Sequence, residues 1–100
     1  MIRGTTPTHV FKVPFDASVM SEVQITYAQN DRVLFKKKTS DCTIVDGSVT
    51  TRLTQEETLL FDHRKNVEIQ IRILTPTGDA LATKIFTERV DKCLDDEVLE

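Results

Sequence analysis

Two histidines, His9 and His63, and two cysteines, Cys42 and Cys93, are the side chains in this sequence best suited to proton transfer, nucleophilic attack or metal binding. Asp62-His63-Arg64 sets an acid, an imidazole and a guanidinium side by side. Adjacent residues in a loop point in different directions, however, and no second ligand pair has metal-site spacing. This stretch predicts a surface loop. His9 falls near the start of the first predicted strand and reads as a partly exposed strand residue. Cys42 and Cys93 fit no zinc pattern and are too few for a disulfide framework. They read as free thiols of a reducing compartment, and whether they approach each other stays open at this level.

Glu56-Glu57 offers neighbouring carboxylates, but acid–base pairs need a cleft that splits their pKa values, and none is implied. Ser18, Ser21, Ser40 and Ser48 all lie near turns, without the strand–turn–helix context of a nucleophile elbow. The three glycines, Gly4, Gly47 and Gly78, are too far apart to cradle a phosphate. The expectation is a non-enzymatic chain with no catalytic residue, no cofactor and no metal. The one basic run, Lys36-Lys37-Lys38, is expected to guard a strand edge against aggregation.

Net charge of -3, with a pI near 5.4, argues against nucleic-acid binding, where cationic contacts to phosphate supply most of the affinity. Residues 1–8 lack the apolar run of a secretory signal. No stretch approaches the roughly 20 apolar residues of a membrane span. A soluble protein made in the cytoplasm, with no membrane partner, is the expectation. Absence of tryptophan and a single tyrosine leave few rings to stack on sugars, which argues against glycan binding.

The elements that must position these side chains are strands. A length of 100 residues, 39% hydrophobic and 29% charged, fits one ordinary globular domain. The sequence divides into an arm over 1–7, a β-sandwich domain over 8–90 and an acidic tail over 91–100. Phe11, Val13 and Phe15 alternate in a strand over 8–15, and Pro14 marks it as an edge or its end. Val23, Ile25 and Tyr27 share a face of the next, and Asn30-Asp31 turns it into a third that carries Val33 and Phe35. Cys42 and Ile44, then Val49, Thr51 and Leu53, form a hairpin around Asp46-Gly47, expected to be type I′. Val67, Ile69, Ile71 and Ile73 predict a central core strand over 66–75. A seventh strand over 80–90 has Leu81, Thr83 and Ile85 on one face and Ala82, Lys84 and Phe86 on the other. The pattern predicts an all-β, seven-stranded antiparallel immunoglobulin-like sandwich, with a small β-barrel as the alternative.

Residues 53–61, LTQEETLLF, interrupt the alternation. Thr54 and Glu57 have capping-box spacing, and Glu56 and Glu57 suit the positive end of a helix. One short helical turn near 54–60 is expected where the chain crosses between sheets, with Leu59 or Phe61 plugging the core.

The stretches IRGTTPTHVFKVPFD, VQITYAQND, LTQEETLLF, VEIQIRILTPTGDALAT and CLDDEVL resemble, in order, a recurrent set of small proteins from phages and prophages of Gram-positive bacteria. The second half is also similar to the N-terminal β domain of phage baseplate upper proteins. The resemblance implies a virion structural component of the tail tip or baseplate, made in the host bacterial cytoplasm and carried in the mature particle. It implies other virion proteins, and further copies of the chain, as partners. Capsid decoration or a head-fibre role, and a non-virion protein that binds a host protein, are the alternatives. The two segments outside the patterned strands are the expected interface, through Ile2, Thr5, Thr6 and Pro7 in the arm and Leu94, Val98 and Leu99 in the tail. Of these, Ile2, Leu94, Val98 and Leu99 are apolar groups that a solvated terminus does not need.

Overall fold

Side-chain alternation sets the two faces of every long strand. A computed structural model describes residues 1–100. In β2 (Glu22–Gln29), Val23, Ile25 and Tyr27 are buried, and the residues between them reach the opposite face. β6 (Val67–Leu74) buries Val67, Ile69, Ile71 and Ile73 in the same way. These strands pair antiparallel with Ile25 opposite Ile71 and Tyr27 opposite Ile69, so one apolar face is continuous. Each such fully buried side chain contributes about 1.5–3 kcal/mol of transfer free energy.

β3 (Arg32–Lys38) lies on the far side of β2, and β7 (Ala80–Ala82) and β8 (Phe86–Glu88) both pair with β6. The second sheet has the order β1 (Thr8–Lys12), β5 (Ser48–Arg52), β4 (Cys42–Val45). Its inner face supplies Phe11, Val49 and Thr51, with Val13 and Leu53 just beyond the strand ends. The result is an all-β sandwich of two antiparallel sheets. The immunoglobulin-like comparison holds at that level, and the strand order is the chain's own. β6 is central, as its pattern predicts. β1 is an edge strand that ends before Pro14.

Turn chemistry is partly as expected. Asn30 and Asp31 both take left-handed backbone, φ 52° and 63°, which closes the β2–β3 hairpin as a type I′ turn requires. At Asp46-Gly47 only Gly47 is left-handed, φ 74°, so this turn is not type I′. The segment before it explains the difference. Val13 N–H donates to the Gly47 carbonyl at 3.0 Å, and Gly47 N–H donates to the Phe15 carbonyl at 2.9 Å. The Asp46 carboxylate accepts from Ala17 N–H at 2.7 Å. The turn thus carries hydrogen bonds of its own to residues 13–17.

Two bulges correct the strand reading. In the β2–β3 ladder Tyr27 faces Phe35, but Ala28 faces Val33, leaving Leu34 as an extra residue. Val33 therefore leaves the face of Phe35 and is 52% exposed. The predicted seventh strand is two strands, giving eight in all. Three residues, 83–85, lie between the pairs Arg72–Ala82 and Ile69–Phe86, against only Gln70 and Ile71 on β6. Thr83 bridges the break: its N–H donates to the Ile71 carbonyl at 2.9 Å, and its hydroxyl accepts from Ile71 N–H at 3.2 Å. The parity change turns Ile85 outward and brings Phe86 within 5.5 Å of the Phe11 ring.

The crossing from β5 to β6 is made by α1 (Gln55–Thr58). Its capping box is complete: Glu57 N–H donates to Thr54 Oγ1 at 3.1 Å, and Thr54 N–H donates to Glu57 Oε1 at 2.8 Å. Phe61 is the plug, 1% exposed, while Leu60 beside it stays in solvent. Thr54→Ala is expected to destabilise the fold by about 1 kcal/mol, read as a shifted urea midpoint with unchanged slope. A neutral result would mean that the cap contributes nothing to stability.

Candidate functional site

The inner faces hold more polar chemistry than their sequence contexts suggest. The β3 bulge leaves Phe35 and Lys37 on the core side, opposite Tyr27 and Ile25. Lys37 is buried, and its Nζ lies 2.6 Å from Glu57 Oε1. One carboxylate thus caps α1 and neutralises an ammonium on the facing sheet. Lys37 is therefore not an edge guard, contrary to the expectation for the lysine run. Lys36 and Lys38 remain exposed on β3, an edge strand. On the same face of these strands Tyr27 stacks on Phe35 at 4.7 Å, and Phe35 meets Phe61 at 5.5 Å.

His9 is the second correction. Its side chain is only 10% exposed, with Nδ1 2.8 Å from the Tyr27 hydroxyl and Nε2 3.1 Å from Glu88 Oε2. The contact to Glu88 is short but poorly aligned as a hydrogen bond. A neutral ring with its proton on Nε2 would accept from Tyr27 O–H and face its own N–H toward the carboxylate. Burial, reinforced by the negative charges of Glu88, Cys42 and Glu57, raises the Tyr27 pKa beyond the working range. Burial likewise raises the Cys42 thiol. The close contact of His9 lowers the Glu88 pKa, against the opposing effect of burial.

A phenol, an imidazole and a carboxylate in sequence could relay a proton. Here they join β1, β2 and β8 across the sandwich, and two depressions of about 490 and 280 Å³ on the surface have none of the three in their linings. The arrangement fastens one sheet to the other. Because the Glu88 pKa is lowered in the fold, its contribution to stability is present above the unfolded value, ordinarily 4.5, and is lost as pH falls through the lower folded value. Glu88→Gln is expected to remove that acid-side component from a stability–pH curve. Superimposable curves for the two proteins would contradict it.

The signal for His9 was present in the sequence. It alternates with Phe11 and Val13, so it shares their inward face. Lys37 likewise alternates with Phe35 and shares its face, whereas Glu88 was concealed because its face depends on the break between β7 and β8. Asp62-His63-Arg64 is a surface loop, as expected: Arg64 Nε and Nη2 each donate to the Asp62 carboxylate at 3.0 Å. That hydrogen bonding holds Asp62 at about 2. Cys42 and Cys93 are both free thiols.

The arm and the tail pair with each other. Ile2 forms a parallel bridge with Asp91, Arg3 N–H donates to the Asp91 carbonyl at 3.1 Å, and Asp91 N–H donates to the Met1 carbonyl at 2.7 Å. Thr5 is tied to α1, its carbonyl accepting from Thr58 Oγ1 at 2.9 Å. Thr6 Oγ1 accepts from Arg52, and the Pro7 carbonyl accepts from Leu53 N–H. Those three residues therefore serve contacts within the chain. Tail segment 96–99 is pinned twice: Arg3 Nη1 reaches Asp96 at 3.0 Å, and Gln55 exchanges two hydrogen bonds with the Leu99 backbone at 2.8 and 3.0 Å. Ile2, Leu94 and Leu99 nevertheless project into solvent, Leu94 being 93% exposed, and Val98 is half-buried.

Both depressions lie on the outer face of the larger sheet. The one of about 490 Å³ is lined by Glu22, Gln24, Lys38, Arg72, Leu74 and Ala80, among others. No group of three or more His, Cys, Asp or Glu side chains is placed to hold a metal ion. No helix is long and apolar enough to cross a membrane. Comparison with known proteins finds no matching family model, no matching curated protein and no matching solved structure.

Proposed function

We propose that the chain is a non-enzymatic structural protein of a phage or prophage, acting at the tail tip or baseplate through contacts with other virion proteins and with further copies of itself. The observation that supports a contact role is the division of side chains. His9, Tyr27 and Glu88 are committed to one another, as are Lys37 and Glu57, while Leu94 projects into solvent and Ile2 and Leu99 do so on hydrogen-bonded backbone. Exposed apolar side chains on an ordered segment favour association, because little freedom remains to be lost on binding. The phage setting is supported by the sequence resemblance.

Removing the coding sequence from an inducible prophage tests the reading. The expected result is full heads and lost infectivity, restored when the chain is supplied in trans. Unchanged infectivity would contradict any essential tail role. Intact tails on fragile or poorly adhering heads would move the chain to capsid decoration.

A further inference from the structure

The outer face of the larger sheet and the tail carry complementary surfaces at opposite ends of the strands. Lys38, Gln24 and Arg72 lie in one cross-strand row, and Glu22, Leu74 and Ala80 lie in the next. Together they line the depression of about 490 Å³, with Lys38 and Arg72 exposed and Leu74 38% exposed. Lys36 stands on the same face one row away, opposite Thr26. Two cations thus line a partly apolar hollow, with a third one row beyond, against one lining acid, Glu22.

The tail has the opposite character. Asp95, Asp96, Glu97 and Glu100 flank Leu94 and Leu99, both largely exposed. Its anchors to Arg3 and Gln55 fix it at its own corner of the molecule. The tail begins at Asp91, just past the pair Val67–Glu88, whereas the depression sits where Leu74 meets Glu22 and Ala80. Those two ends of β6 are about 24 Å apart at the rise of a strand, in a molecule whose longest extent is 46 Å. The tail therefore starts at the end of β6 opposite the depression, and no hydrogen bond or ion pair joins it to a residue lining that depression.

We propose that the acidic tail of one copy docks its exposed leucines into the basic-rimmed depression on the outer sheet face of a second copy. Donor and acceptor are different surfaces, so the contact is head-to-tail and repeats: it closes as a ring or continues as a row, according to the rotation between copies. This deepens the structural-protein reading and rests on it. A modest contact per copy is sufficient where an assembly multiplies it.

Sedimentation of the whole chain over a range of concentration and salt tests the contact. Wild type is expected to associate beyond the dimer, with the association weakening as salt screens the charges. Arg72→Glu spoils the depression and Leu94→Asp spoils the tail, each expected to weaken association by about tenfold or more. Both positions are exposed, and matching thermal melts would confirm that the variants remain folded. Mixed together, the two variants are expected to form a one-to-one complex that grows no further, because each retains the surface that the other lacks. Wild type that stays monomeric at every concentration, association that survives either substitution, or a mixture that stays monomeric would overturn the proposal. A monomeric wild type that is still incorporated into particles would overturn the self-contact alone and leave the structural role standing.

Discussion

Phe61→Ala is expected to destabilise the fold by about 3–5 kcal/mol, a large share of the about 5–15 kcal/mol available to a domain of this size. The ring is almost wholly enclosed, 5.5 Å from Phe35 and 6.1 Å from Tyr27. Its removal leaves a cavity where the chain crosses from β5 to β6. The backbone cannot collapse freely into that space, because Asp62 N–H donates to the Gln29 side chain at 2.7 Å and Gln29 Nε2 donates to the Asp62 and Lys65 carbonyls. Urea unfolding gives the measurement, with Leu60→Ala as its control. Leu60 is 55% exposed, and its truncation is expected to change stability by no more than about 0.5 kcal/mol. Equal effects at the two positions would mean that the crossing carries no core plug.

The second large effect concerns Lys37. Lys37→Met keeps the aliphatic length and removes the ammonium, leaving the Glu57 carboxylate without its cation at a mostly buried position. Breaking one partner of a buried pair costs about 3–5 kcal/mol. Because Glu57 keeps 21% of its side-chain surface in water, about 2–4 kcal/mol is expected here. Adding Glu57→Gln is expected to recover most of the loss. The glutamine is neutral and can still accept from Thr54 N–H as the last member of the capping box. A thermodynamic cycle over the four proteins isolates the pair. A Lys37→Met variant as stable as wild type would show that the ion pair behaves like a solvated surface bridge.

The features legible in the sequence are those decided locally. Four β-branched residues at period two fix β6 wherever it packs. Thr54 and Glu57 close a capping box with no help from the rest of the fold. Asn30 and Asp31 bend the chain by their own tolerance of left-handed backbone. The features that escaped depend on a pairing partner. Leu34 and Thr83 look like ordinary strand residues, and the extra residue at each bulge exists only relative to β2 or β6. The bulge in β3 turns Val33 outward while Phe35 and Lys37 keep the core face, and the break between β7 and β8 turns Phe86 inward and Ile85 outward. Only with that second shift do His9 and Glu88 meet.

The candidate surface divides in the same way. Apolar groups in the arm and tail stood out because a solvated terminus has no use for them. Their pairing with one another joins residues as far apart as Arg3 and Asp96, 93 positions along the chain, and no local pattern records it. The depression on the outer face also escaped. Its rim cations come from β3 and β6, which are neighbours only through β2.

The most direct measurement is to identify and count the chain in purified phage particles. Quantitative mass spectrometry of intact virions, with separated heads and tails as fractions, is expected to find it in the tail fraction. Its copy number there should be small and set by tail symmetry, about three or six or a low multiple of these. Absence from purified particles, or a number in the hundreds confined to the heads, would contradict the account.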